Sequence, residues 1–144
     1  MNPSNLISLE PALRIAALAQ FTVAILNLFL IRMMKWKPDL DRAPLLIREL
    51  FHIHVFFISI ILSIFAVLTW RFASEIARAT SPLAIWLSGA IGFFWLVRSV
   101  MQRSHYSASH WRGDSLRTLI HWTLFLGYGG MAAAYLAAAF WRSA

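Results

Sequence analysis

The sequence has no cysteine and little charge. The missing cysteine excludes disulfides, thiolate metal sites and a cysteine nucleophile. Charged residues make up 13% of the chain, against about a quarter in a soluble domain. Acidic groups are the scarcest, 6 against 13 lysines and arginines, for a net charge of +7. No internal repeat, low-complexity tract or second domain is visible. What is abundant is apolar: 60% of the 144 residues are hydrophobic. A soluble chain this short could not hide so much apolar surface in one core. Lipid is the solvent that removes the conflict. A basic soluble protein suggests nucleic acid, but here the basic residues flank apolar runs. Membrane orientation accounts for them, and no nucleic-acid partner is expected.

Charges punctuate the chain. Ile15 to Ile31, Leu50 to Trp70, Ala79 to Val97 and Thr118 to Trp141 are uncharged runs of 17, 21, 19 and 24 residues. About 20 apolar residues cross a bilayer as a helix, which satisfies its own backbone. The expectation is an all-α integral membrane protein with one transmembrane domain over residues 1–144 and spans near 12–33, 47–72, 80–102 and 117–141. The first run is expected to be a span rather than a cleaved signal. Met1 to Leu13 carries Glu10 and no basic residue, and the run is followed by Arg32, Lys35 and Lys37. Short links, with Pro38 inside the first and Pro44 opening the second helix, predict an up-down-up-down bundle.

Orientation follows the lysines and arginines. Arg32, Lys35, Lys37, Arg42, Arg48, Arg98, Arg103, Arg112 and Arg117 gather at the first and third loops. Arg14, Arg71, Arg78 and Arg142 lie opposite, so the count is nine against four. Loops 34–46 and 103–116 are therefore expected in the cytoplasm and both termini outside a cell membrane. Trp36, Trp111 and Trp122 near one interface, with Trp70, Trp86 and Trp141 near the other, fit an aromatic belt.

Polar side chains have no use on a lipid-facing surface, so their spacing marks the buried faces. Gln20 and Asn27 are seven apart. His52, Ser59 and Ser63 follow at 7 and 4. Ser88, Trp95, Arg98, Gln102 and His105 follow at 7, 3, 4 and 3. Arg117, His121, Tyr128 and Tyr135 follow at 4, 7 and 7. Each helix thus carries one polar stripe, and the stripes are expected to face each other. Interhelical hydrogen bonding accounts for the serines, Gln20 and Asn27, at about 0.6 kcal/mol per contact.

All five histidines fall toward the cytoplasmic end: His52 and His54, His105 and His110, and His121. Glu49, Asp114, Arg48, Arg98 and Arg117 share that zone. Imidazole and carboxylate suit zinc, copper and iron, so His52, His105, His110, His121 and Glu49 are the candidate metal ligands. Two facing histidines could instead hold a haem iron axially. Arg98 and Arg117 are the candidate groups for an anion such as a haem propionate, a substrate carboxylate or a lipid phosphate. His52 and His54 point about 200° apart on a regular helix, and the stripe selects His52 as the inward one. These residues predict a small metal- or haem-binding protein acting in oxidoreduction. The competing expectation is a non-enzymatic membrane subunit whose outward faces bind partner subunits or further copies, with its histidines merely at the interface.

In length, span count and basic loops the chain resembles the membrane-associated eicosanoid and glutathione metabolism family, whose small four-helix subunits form trimers. That family's second helix carries an arginine, an asparagine and a glutamate. Here the stretch reads Arg48-Glu49-Leu50-Phe51-His52-Ile53-His54, without the asparagine. Arg98, Gln102 and Tyr106 are compatible with its basic, tyrosine-containing site. The resemblance implies a lipid- or glutathione-metabolising membrane enzyme.

Overall fold

A computed structural model describes residues 3–105 and 113–141, and all regular structure among them is helical. The elements are α1 (Pro3–Leu28), α2 (Leu30–Met33), α3 (Lys37–Arg42), α4 (Leu45–Arg78), α5 (Pro82–Ser104) and α6 (Ser115–Phe140). Four stretches are long and apolar enough to cross a membrane: Leu9–Leu28, Leu45–Arg78, Pro82–Ser104 and Ser115–Phe140. A third or less of each is buried within the protein. Leu83, Trp86, Leu126 and Phe140 are each 67% exposed or more. A soluble monomer rarely shows contiguous apolar surface on this scale, and a bilayer would cover it.

The helix ends obey local rules. At Phe29 the backbone leaves helical geometry (φ −95°, ψ 2°), which separates α1 from α2. Lys35, at φ 55°, closes α2, and the Trp36 amide donates back to the Ile31 carbonyl. Ala79, at φ 49°, closes α4 in the same way, with the Thr80 amide donating to Glu75. Both are left-handed C-caps whose backward hydrogen bonds satisfy orphan carbonyls. Ser81 then caps α5, accepting from the Ala84 amide, with Pro82 in the first turn. Pro44 does not begin α4 as a first-turn residue. It stands one position ahead, where its carbonyl accepts from the Arg48 amide.

Contacts divide the chain into two compact units: Ala17–Arg71, and Met1–Ala16 together with Phe72–Ala144. In the first, Asn27 of α1 donates to the Val55 carbonyl and to Ser59 Oγ of α4, at 2.9 and 3.0 Å. Trp36 meets Phe51 edge-on, centroids 6.2 Å apart, so the α1–α3 segment folds back along α4.

In the second unit α5 and α6 form an antiparallel pair. Ser88 donates to the Tyr135 carbonyl at 2.7 Å, and Ser99 donates to the Phe125 carbonyl at 3.3 Å. Trp95 stacks on Tyr128 with centroids 5.2 Å apart. As α5 residue numbers rise, their α6 partners fall. Gly92 sets the approach: a β-carbon there would lie 2.9 Å from Leu136 Cγ and 3.1 Å from its backbone nitrogen. That backbone atom cannot swing aside. Elsewhere in a helix Gly→Ala gains about 1 kcal/mol. Here Gly92→Ala is expected to lose about 1–3 kcal/mol by overpacking. Gly127→Ala, with nothing within 4 Å of the new carbon, should be neutral or stabilising. Denaturant unfolding of the purified protein in detergent, read by helical ellipticity, separates the two; equal effects would remove Gly92 from the contact.

Candidate functional site

At one end of the α5–α6 pair, two buried polar side chains of the second unit meet. Gln102 is buried on α5 and His121 is buried on α6. The Gln102 side-chain Nε2 lies 3.1 Å from His121 Nδ1. One turn back, Arg98 Nη1 donates to Gln102 Oε1 at 3.0 Å. The same guanidinium lies 4.8 Å from the centre of the Tyr128 ring, a cation–π distance, and that ring is the one stacked on Trp95. The i, i+3, i+7 spacing of Trp95, Arg98 and Gln102 puts all three on one helical face, as His121 and Tyr128, seven apart, share one on α6.

The direction of these bonds is determined by chemistry. A guanidinium only donates, so the Gln102 oxygen must face Arg98 and its amide nitrogen must face His121. That nitrogen is also only a donor, so His121 Nδ1 accepts and the ring hydrogen sits on Nε2. Ligation through Nδ1 would displace Gln102. Ligation through Nε2 would require a hydrogen on Nδ1, aimed at another donor. The chain from Arg98 to His121 therefore opposes metal or haem binding at His121.

His52 has the reverse arrangement. It is exposed on α4, not turned inward as its place on the polar stripe suggested. A stripe at helical period marks a face, but α4 also exposes large apolar side chains such as Phe56, Phe57 and Val67, so the pattern did not assign the inner one. His52 Nδ1 lies 2.7 Å from the Arg48 carbonyl, which only accepts. The hydrogen is thus on Nδ1, and Nε2 carries the lone pair, the orientation that second-shell carbonyls impose on metal-binding histidines. His52 lines a surface groove with Leu45, Arg48, Glu49 and Ile53. Arg48 Nη1 is drawn toward Asp41, at 3.8 Å.

The remaining candidates have local surroundings of their own. His54 and Glu49 are exposed on α4. His105 ends α5, exposed, with its Nδ1 3.2 Å from Ser104 Oγ. Asp114 caps α6 by accepting from the Arg117 amide at 3.0 Å, and its other oxygen meets Arg117 Nε at 3.2 Å. Arg117 is thereby committed to a local, exposed ion pair. Tyr106, His110, Trp111 and Arg112 lie outside the described residues. Among the described residues, no group of three or more histidines and carboxylates gathers as a metal ion would require.

No family model matches the chain, and no curated protein or solved structure matches it.

The Arg98–Gln102–His121 chain predicts a spectroscopic state. With nitrogen-15-labelled histidine, His121 should report hydrogen on Nε2 and a bare Nδ1. In Gln102→Glu, a carboxylate that accepts from Nδ1 while pairing with Arg98 should exchange the two signals. Hydrogen on Nδ1 in the unaltered protein would show that Gln102 does not donate to His121.

Proposed function

We propose that the protein is a non-enzymatic membrane subunit: an up-down-up-down bundle of four spans, with loops 34–46 and 103–116 cytoplasmic and both termini outside. One observation carries the reading. Within the spans, Asn27, Ser59, Thr69, Ser88, Ser99 and Gln102 bond to their own or a neighbouring helix rather than gathering around an open space. Asn27 serves Val55 and Ser59, Ser88 serves Tyr135, Ser99 serves Phe125, and Gln102 joins Arg98 to His121. Among the described residues, no buried side-chain nitrogen or oxygen lacks a hydrogen-bond partner. An enzyme site keeps polar groups available for substrate. Here they hold helices together, as intramembrane polar residues do when they act as glue, and the exposed apolar faces are left to meet lipid or other chains.

A second reading, in which the chain holds a transition metal, is favoured at His52 alone, where the ring presents a bare Nε2 beside Glu49. Haem held between His52 and His121 is disfavoured by the hydrogen-bond direction at His121.

Reporter fusions after Lys37 and near Asp114 should read cytoplasmic, and one at Ala144 external. A cytoplasmic Ala144 would reverse the topology. The purified protein should show no Soret absorbance; a haem band would replace the subunit reading with an electron-transfer one.

A further inference from the structure

Glu49 and His52 are three residues apart, so they lie on one face of α4, where both line the same groove. This Glu-x-x-His spacing supplies paired ligands to metal centres built between helices. A single copy offers only these two, and a tetrahedral site needs four. The same face continues down the span. On a regular helix, Leu45, Glu49, His52, Phe56, Ile60, Ser63 and Val67 fall within a strip about 80° wide. Their steps of four and three residues are those of a helix-pairing seam. Leu45, Phe56, Ile60 and Val67 are 59%, 56%, 39% and 63% exposed. A second groove, lined by Phe56, Ile60, Ser63 and Val67 among others, runs along the strip. Ser63 adds no polar demand there, because its hydroxyl donates to the Ser59 carbonyl at 2.8 Å.

We propose that this face of α4 receives α4 of a second copy, and that the two Glu49–His52 pairs together bind one divalent transition metal of the zinc class. The proposal rests on the four-span topology above in one respect. Copies inserted in the same sense are related by a two-fold axis along the membrane normal, so equal residues meet at equal depth. Glu49 and His52 then face their own counterparts at the edge of the uncharged run that begins at Leu50, where ions still reach from water. Two carboxylates set side by side repel, and one divalent cation neutralises both. His52 enters through Nε2, the nitrogen that its bond to Arg48 leaves bare. A small residue at Ser63 lets the two helices approach.

The test uses the full-length protein, purified without chelator in detergent and also kept in native membranes. Titrated with cobalt(II) alone, it should bind one ion per two chains, with the intense visible bands of a tetrahedral centre. The dimer fraction by light scattering should rise several-fold and fall again with chelator. Glu49→Gln and His52→Ala should each abolish both effects, while His105→Ala should not. Because the chain has no cysteine, single substitutions report contacts cleanly. Phe56→Cys, Ile60→Cys and Val67→Cys should crosslink copy to copy in membranes, and Leu50→Cys and Phe57→Cys, on another face, should not. One ion per chain, a dimer indifferent to metal, or binding that survives His52→Ala would overturn the proposal. So would equal crosslinking on and off the strip, whether or not the variants at Glu49 and His52 fold. The fusion reporters test topology separately, so a failure there is told apart from a failure here.

Discussion

A polar side chain inside hydrocarbon has no water to turn to, and the second unit is organised by that constraint. Gln102 has a donor end and an acceptor end that must both be used. Arg98 takes one and His121 takes the other, which orders three side chains on two helices with a single amide. Ser88 and Ser99 meet the same demand with less. Each hydroxyl reaches a carbonyl of α6 that already serves its own helix, since a carbonyl oxygen has a second lone pair. Neither serine bond needs a long side chain to be held in place, so little conformational entropy is lost in making those two.

Magnitudes decide which force assembles the pair. Interhelical hydrogen bonds in lipid average about 0.6 kcal/mol, so the three that join α5 to α6 contribute about 2 kcal/mol. A single overpacked position costs as much. Close approach at Gly92 and the stacking of Trp95 on Tyr128 therefore matter at least as much as the polar contacts. The polar contacts choose which faces meet; packing supplies much of the adhesion.

Several features were legible in the sequence because helical period is legible. The stripes placed Ser88, Trp95 and Gln102 on one face, and His121, Tyr128 and Tyr135 on another, and those faces meet. Asn27 and Ser59 likewise met from their own stripes. Four helices long and apolar enough to span follow directly from the uncharged runs. Periodicity failed where exposed faces are as rich in apolar residues as buried ones. In α4, His52 shared a stripe with buried Ser59 yet stands exposed. The partner of Gly92 was invisible because glycine has no side chain to carry a pattern. The tautomers of His52 and His121 depend on whether a carbonyl or an amide nitrogen lies opposite, which spacing does not encode. The i, i+3 relation of Glu49 and His52 was present all along, but its meaning depends on both being exposed in one groove.

The contacts of α5 with α6 also have a mechanical consequence. Ser88–Tyr135, Ser99–Phe125 and Gln102–His121 are spread from one end of the pair to the other. Sliding α6 along α5 by one turn, about 5.4 Å, would break all three at once and drive Leu136 past Gly92. Rotation of α6 about its own axis would carry Tyr128 off Trp95. Neither piston nor screw is a soft mode of this hairpin. A push at the Asp114 end is delivered to the Phe140 end as displacement of a single stiff rod.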